Sequence, residues 1–344
     1  MSTIAREAGV TASTVSRALR GDPRISERTR TKIKNLAERL RYKPNPLVSA
    51  LMTQLRDGRP PAAKGNLVWL DYLADPMAWE KNPVQRAFYL GAQRRASALG
   101  HSLTRIPVMG RSADRLTRCL RNRGVSGVLL PYFPTAQGVA SKLPIDLRRF
   151  TCVSVGTRYE QPLLHYSSDD QYESCRLAVQ QLWNLGYRYI GYVGDPRVER
   201  IVNGRFFAGY HATLFSQFET QAPPPFIDLD EPKVVEWVRR FGIEAIVTAN
   251  PRIYGILVSS GYQIPRDLGF AHLNIDDAHG IAGLPAGMIA GVRQDNEGVG
   301  ANAVDLLVSL LYHNELGLPE SARGMQVQSM WIKGASVRML PAFR

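Results

Sequence analysis

The stretch Ile4–Leu19, IAREAGVTASTVSRAL, constrains the chain most tightly. Its apolar or small residues, Ile4, Ala5, Ala8, Val10, Val15 and Leu19, fall on helical faces with a break in register at Gly9–Val10. This spacing predicts two short helices joined by a sharp turn. Gly9 supplies the left-handed residue such a turn needs, and small Ala5 and Ala8 let the helices approach closely. Thr11 can cap the second helix, leaving Ala12, Ser13, Thr14, Ser16 and Arg17 in its first turns. That is the layout of a helix-turn-helix whose second helix enters a DNA major groove; a generic two-helix corner is the alternative.

Charge distribution favours the first reading. Residues 1–64 hold 14 Lys/Arg against 5 Asp/Glu, whereas the remaining 280 residues hold 29 against 25. A basic head on a nearly neutral body suggests a polyanion-binding module attached to something else. A solvated basic tail would lack the apolar helical pattern of this head. Ser26 can cap a third helix, Glu27 to about Arg41, with Ile33, Leu36, Ala37 and Leu40 on one face to close a small core.

Asn45 as N-cap and Pro46 at the first helical position start another helix. Leu47, Leu51 and Leu55 form a narrow stripe on a segment that is marginal alone in water and needs a partner surface. Residues 57–63 read as a linker.

From Gly65 onward, strands and helices alternate. Strands are expected over 66–73, 101–108, 127–133, 150–155, 187–194, 243–249, 268–274 and 327–332. Helices are expected over 84–99, 113–122, 171–185, 200–218, 232–241, 251–260 and 298–311. Such alternation predicts parallel sheets covered by helices on both faces, and two sheets suit the length better than one. Ligands in such folds bind outside the carboxyl ends of the strands.

Three dispersed cysteines, Cys119, Cys152 and Cys175, read as reduced thiols rather than a disulfide framework. Neither a secretory signal nor a run of about 20 apolar residues is seen, so a cytoplasmic protein with no membrane partner is expected. No GxxxxGK, HExxH or GxSxG motif occurs, so neither an enzyme nor a bound cofactor or metal is expected.

Residues 4–55 closely resemble the headpiece of the LacI/GalR family of bacterial transcriptional regulators: IAREAGVTASTVSRAL, RIS at 24–26 and RYKPNPLVSAL at 41–51. The rest resembles that family's periplasmic-binding-protein-like core, through Ser168-Asp169-Asp170, the LGYRYI of 185–190, Ala208-Gly209-Tyr210, the GYQIPRDL of 261–268 and the QDNEGVG of 294–300. The resemblance implies a small all-α helix-turn-helix headpiece (1–45), a hinge helix and linker (46–64), and an α/β core of two doubly wound parallel-sheet subdomains of the type I periplasmic-binding kind. The first subdomain would span 65–160 with about 294–320, the second 161–293 with about 321–344.

It also implies a homodimeric, nucleoid-associated bacterial repressor that binds a pseudo-palindromic double-stranded operator under control of a sugar-like small-molecule effector. A small-molecule receptor without a DNA role is the alternative. DNA contacts would come from Thr11, Ala12, Ser13, Thr14, Ser16, Arg17, Arg20, Asn45 and Leu51. Arg17 would bond a guanine through two parallel hydrogen bonds, and Leu51 would wedge a base step apart in the minor groove.

Effector contacts would come from Asp71, Tyr72, Arg205, Asn250, Asn274 and Gln294. The family usually has Asp where this chain has Asn274, and its crevice arginine falls where this chain has Phe206, with Arg205 one residue earlier. Trp69, Trp79, Tyr132, Phe133 and Trp331 are candidates for a stacking face or for core packing. The abrupt beginning at Met1 implies that Ser2 or Thr3 caps a shortened first helix, or that the true start lies upstream. With no leucine-heptad helix before Arg344, a dimer rather than a tetramer is expected.

Overall fold

The computed structural model describes residues 2–19, 25–39, 65–71, 82–108, 111–131, 134–135, 138–139, 145–159, 161–228, 230–276 and 287–341. Arg20, Asn45, Leu51, Tyr72, Trp79, Tyr132 and Phe133 lie outside these residues, as does the expected hinge helix. The chain divides into two compact units, residues 1–63 and 64–344.

The first unit contains α1 (Ser2–Ala8), α2 (Ala12–Leu19) and α3 (Glu27–Arg39). Gly9 takes φ +73°, and the Val10 N–H reaches the Ala5 carbonyl at 3.0 Å, which closes α1 in the glycine-dependent manner. Thr11 Oγ1 accepts from the Thr14 N–H at 3.2 Å, and Ser26 Oγ from the Thr29 N–H at 3.4 Å, so both expected caps form. Ile4, Ala5, Ala8, Val15, Ala18, Ile33 and Ala37 are buried together. The small Ala18, on the face of Val15, is a core contact the apolar pattern did not single out.

The second unit opens with β1 (Asn66–Asp71), α4 (Pro83–Ala98), β2 (Ser102–Pro107), α5 (Ala113–Asn122) and β3 (Val125–Pro131). A short antiparallel pair, β4 (Pro134–Thr135) and β5 (Gly138–Val139), precedes β6 (Thr151–Val155) and β7 (His165–Asp169). Then come α6 (Gln171–Asn184), β8 (Ile190–Gly194), α7 (Pro196–Ile201), α8 (Arg205–Ala212) and β9 (Phe226–Ile227). They are followed by α9 (Val234–Phe241), β10 (Ala245–Thr248), α10 (Arg252–Ser259), β11 (Gly269–His272) and β12 (Ala290–Arg293). The last elements are α11 (Asn296–Tyr312), β13 (Gly324–Val327) and β14 (Met330–Ile332).

These strands build two six-stranded sheets, ordered β13-β7-β6-β3-β1-β2 and β14-β12-β11-β10-β8-β9. The first is parallel throughout, and the second is parallel except where β14 runs against β12. Strand alternation fills both faces. Leu67 and Trp69 of β1 pack under α4 and α11, while Val68 and Leu70 pack under α5 with Leu116 and Leu120. Helices α4 and α11 meet through glycines: a Cβ on Gly300 would lie 1.9 Å from the Phe88 carbonyl oxygen, and one on Gly91 equally close to that of Glu297. In the second sheet Ala245 and Val247 face α6 and α8, and Ile246 faces α9 and α10.

Several expectations shift. His165–Asp169 is the strand β7 of the first sheet, so the first crossover follows Asp169 rather than residue 160. The single strand expected over 327–332 is two strands, β13 in the first sheet and β14 in the second, so the last crossover falls after Val327 rather than near 320. The helix expected over 200–218 is interrupted by the left-handed pair Asn203 (φ 54°) and Gly204 (φ 68°), and it ends in a π-helical turn at Thr213–Gln217. All three cysteines are free thiols, and burial pushes those of Cys152 and Cys175 up. Among the described residues no helix is long and apolar enough to cross a membrane.

Candidate nucleic-acid interface and effector crevice

In the first unit, Val15 and Ala18 of α2 face the headpiece core, and helical spacing puts Arg17 on the opposite side. Arg17 is exposed, and no hydrogen bond or ion pair among the described residues engages it. Three other basic residues are committed to the fold. Lys32 donates to the Ala8 carbonyl at 3.1 Å, at the C-terminal end of α1, and Arg39 pairs with Glu7. Arg30 pairs with Glu27 at 2.9 Å. Arg17, like the exposed Arg6, Arg28 and Lys34, has no such partner among the described residues, and it is the one of these that lies on α2.

In the second unit, a cavity of about 260 Å³ opens at the carboxyl ends of strands from both sheets. Gly156 follows β6, Asp169 ends β7, Ala249 follows β10, and Asn274 and Gln294 follow β11 and β12. Helix α4 contributes Val84 and Phe88, with Asn82 just before it; α7 and α8 contribute Val198, Ile201 and Phe206. A Cβ at Gly156 (φ +85°) would lie 2.6 Å from the Phe88 ring, so this glycine both makes the turn and seats the ring.

Asn274 and Gln294 therefore stand where the sequence placed them. Gln294 Nε2 donates to the Leu273 carbonyl at 3.2 Å, and the Asn274 N–H donates to His272 Nδ1 at 3.1 Å. Burial holds the His272 imidazole neutral, with its pKa lowered to about 4.

Three other candidates do not line the cavity. Asp71 is buried at the end of β1 and pairs with Arg105 at 3.2 Å. Asn250 Nδ2 donates to Glu231 at 2.8 Å, and its Oδ1 accepts from the Arg252 N–H at 3.0 Å, so its amide belongs to a loop. Arg205 pairs with Asp170 at 3.4 Å and lines a separate small pocket with Arg158, Tyr166 and Ser168. Its neighbour Phe206 faces the cavity instead, because consecutive helical residues point about 100° apart. Trp69 is fully buried, packed edge-on against Tyr89 at 5.6 Å, and Trp331 packs against the second lobe's core. Among the described residues, the aromatic walls are Phe88 and Phe206.

Of the described lining residues that the sequence did not single out for the effector, among them Asn82, Phe88 and Gln171, Asp169 is the ionisable one. It is 4% exposed, and Oδ1 accepts from Gln171 Nε2 at 3.1 Å while Oδ2 has no hydrogen-bond partner. Burial, aided by the neighbouring Asp170 charge, pushes its pKa up to about 7. The segment HYSSD carries little strand-like hydrophobicity, which hid the position of Asp169 at a strand's carboxyl end.

Residues 1–45 match the family model described as bacterial regulatory proteins, lacI family. A curated relative, the HTH-type transcriptional regulator reg1 of Streptomyces lividans, is 28% identical over 222 residues, covering 58% of this chain and 56% of its own length. The chain thus spans little more than half of that relative. Among solved structures, a transcriptional regulator CelR–cellobiose complex is 20% identical with a TM-score of 0.57, covering 97% of this chain and 98% of the other. The lac repressor dimer bound to operator and the anti-inducer ONPF is 18% identical with a TM-score of 0.56, at the same coverage. CcpA of Lactococcus lactis is 13% identical with a TM-score of 0.59, covering 80% of this chain and 100% of the other. The solved structures establish the fold of the core, and residues 1–45 match the model of the lacI family of bacterial regulatory proteins.

Proposed function

We propose that this protein is a sequence-specific transcriptional repressor that binds a pseudo-palindromic operator as a homodimer and responds to a small molecule in the crevice. The observation that carries the reading is the exposed, unengaged Arg17 on the outward face of α2, in a basic headpiece of matching family. From that face, α2 reads the major groove with Thr11, Ala12, Ser13, Thr14, Ser16 and Arg17, and Arg20 follows it in sequence. Asn45 and Leu51 supply the hinge contacts that the sequence implies, with Leu51 as the minor-groove wedge.

The effector half of the reading is supported by a cavity built from both lobes of the second unit, beside crossovers that would have to flex if the lobes moved. In the CelR neighbour the bound molecule is cellobiose, and in the lac repressor neighbour the dimer holds operator and an anti-inducer. We read the crevice here as a binding site of the same kind rather than a catalytic one, in a protein that works in the bacterial cytoplasm on the nucleoid.

The test is binding to duplexes selected from a random pool, with competitor DNA, at two salt concentrations. Salt-dependent affinity with a base preference that survives competition is expected. Equal affinity for every duplex would overturn the reading.

A further inference from the structure

The acceptor chemistry of the crevice identifies a class of ligand. Of its described lining residues, two carry buried side-chain atoms without a hydrogen-bond partner, and both atoms are acceptors: Asp169 Oδ2 and Asn274 Oδ1. Buried acceptors left unmet are costly, more so when one belongs to a carboxylate. A molecule that fits must bring hydrogen-bond donors to them.

Charge narrows the choice. Asp169 is the one ionisable side chain among the described lining residues, so an anion entering the crevice would meet a carboxylate and no cation. Arg205 is the nearby cation, and its guanidinium is paired with Asp170 and lines the neighbouring pocket. The position where an arginine was expected holds Phe206. The remaining wall is mixed: Val84, Phe88, Val198, Ile201, Val202 and Phe206 are hydrocarbon, while Asn82, Gln171 and Gln294 are polar. Such a wall suits a skeleton with one apolar face.

We propose that the crevice takes a small organic cation, a protonated amine on a skeleton with an apolar face, whose ammonium donates to Asp169 Oδ2 and to Asn274 Oδ1. An ammonium offers three donors and a compensating charge, meeting both orphan acceptors and neutralising the buried carboxylate. Burial outweighs the Arg205 charge and the Gln171 hydrogen bond in setting the pushed-up pKa of Asp169, which agrees with a carboxylate that a ligand's charge would stabilise. The anchor also has a mechanical position. Asp169 immediately precedes the first crossover between sheets, and Gln294, on the same cavity, lies in the second. The inference rests on the effector reading above and names the chemistry of that site.

The test uses matched sets on one skeleton: cyclohexylamine, cyclohexanol and cyclohexanecarboxylate; phenethylamine, 2-phenylethanol and phenylacetate; glucosamine, glucose and glucose 6-phosphate. Calorimetric titration of the full chain should show the amine of at least one set binding about tenfold or more tighter than its alcohol, with no binding of its anion. Asp169→Asn should abolish that preference. Should this variant not fold, Asn274→Asp serves instead, and it should raise the amine's affinity over the alcohol's. An alcohol or anion that binds as tightly as its amine overturns the proposal while leaving the crevice a binding site. Absence of binding by every member overturns it too, as does an amine whose preference both variants leave unchanged. Operator affinity is measured alongside. An amine that binds through Asp169 without altering it upholds the ligand class and removes the effector role.

Discussion

The backbone N–H of Asp170 donates to the Val327 carbonyl oxygen at 3.0 Å, tying the first and third crossovers of the core side by side. Just beyond, Ser174 Oγ and Ser329 Oγ share a hydrogen bond of 2.8 Å. Asp169 stands next to this junction and in the crevice wall at once. The crevice wall and the junction therefore meet at Asp169.

Asp169 gives the stability of the core a pH dependence with a definite sign. Its pKa is about 7 in the folded chain and about 3.9 in the unfolded one. Within that window the folded state holds a proton that the unfolded state has released, so stability falls as pH rises through it, by up to a few kcal/mol. Asp169→Asn removes the titration. The variant should melt several degrees above the parent at about pH 8 and level with it at about pH 4. Parallel melting curves at both pH values would refute the buried-carboxylate account.

The approach of α4 and α11 depends on glycine. Gly300→Ala drives a methyl group into the Phe88 carbonyl, a backbone atom that cannot rotate away, and should cost about 1–3 kcal/mol or more. Gly255 of α10 has nothing within 4 Å of its would-be Cβ. Gly255→Ala should be neutral or stabilising by up to about 1 kcal/mol. Chemical denaturation of both variants checks the contrast.

In the headpiece, Gly9→Ala forces a Cβ into φ +73° and should destabilise the turn by about 1–2 kcal/mol. Operator affinity should fall while base preference is unchanged, as read by a competition series with single-base operator variants.

Arg205 and Phe206 can be separated directly. An amine identified in the matched sets should lose affinity in Phe206→Ala and keep it in Arg205→Gln, whose side chain serves Asp170. The reverse ranking would return the site to the arginine.

Much of this architecture was legible because burial on both sheet faces writes continuous apolar runs such as NLVWL and GVLL into the sequence. What escaped lies where function and topology displace hydrophobicity. HYSSD forms a strand with polar residues because Ser167 Oγ bonds the Val299 carbonyl at 2.8 Å and Asp169 faces the crevice. AGVR forms β12 with small residues because a Cβ on Gly291 would sit 2.1 Å from the His272 carbonyl oxygen. The break between β13 and β14 has no signature in a six-residue extended run. The crevice residues were harder still. Arg205 and Phe206 differ by one position on a helix, and side-chain identity alone favoured the one that faces away.

The central claim is that Arg17 reads a base, and one measurement addresses it most directly. Binding of the parent and of Arg17→Ala is compared across every single-base variant of the selected operator. The account predicts that the variant loses discrimination of about 1–3 kcal/mol at one base pair per half-site, with preferences elsewhere intact. A uniform loss of affinity with an unchanged base profile would show a phosphate contact instead and would contradict it.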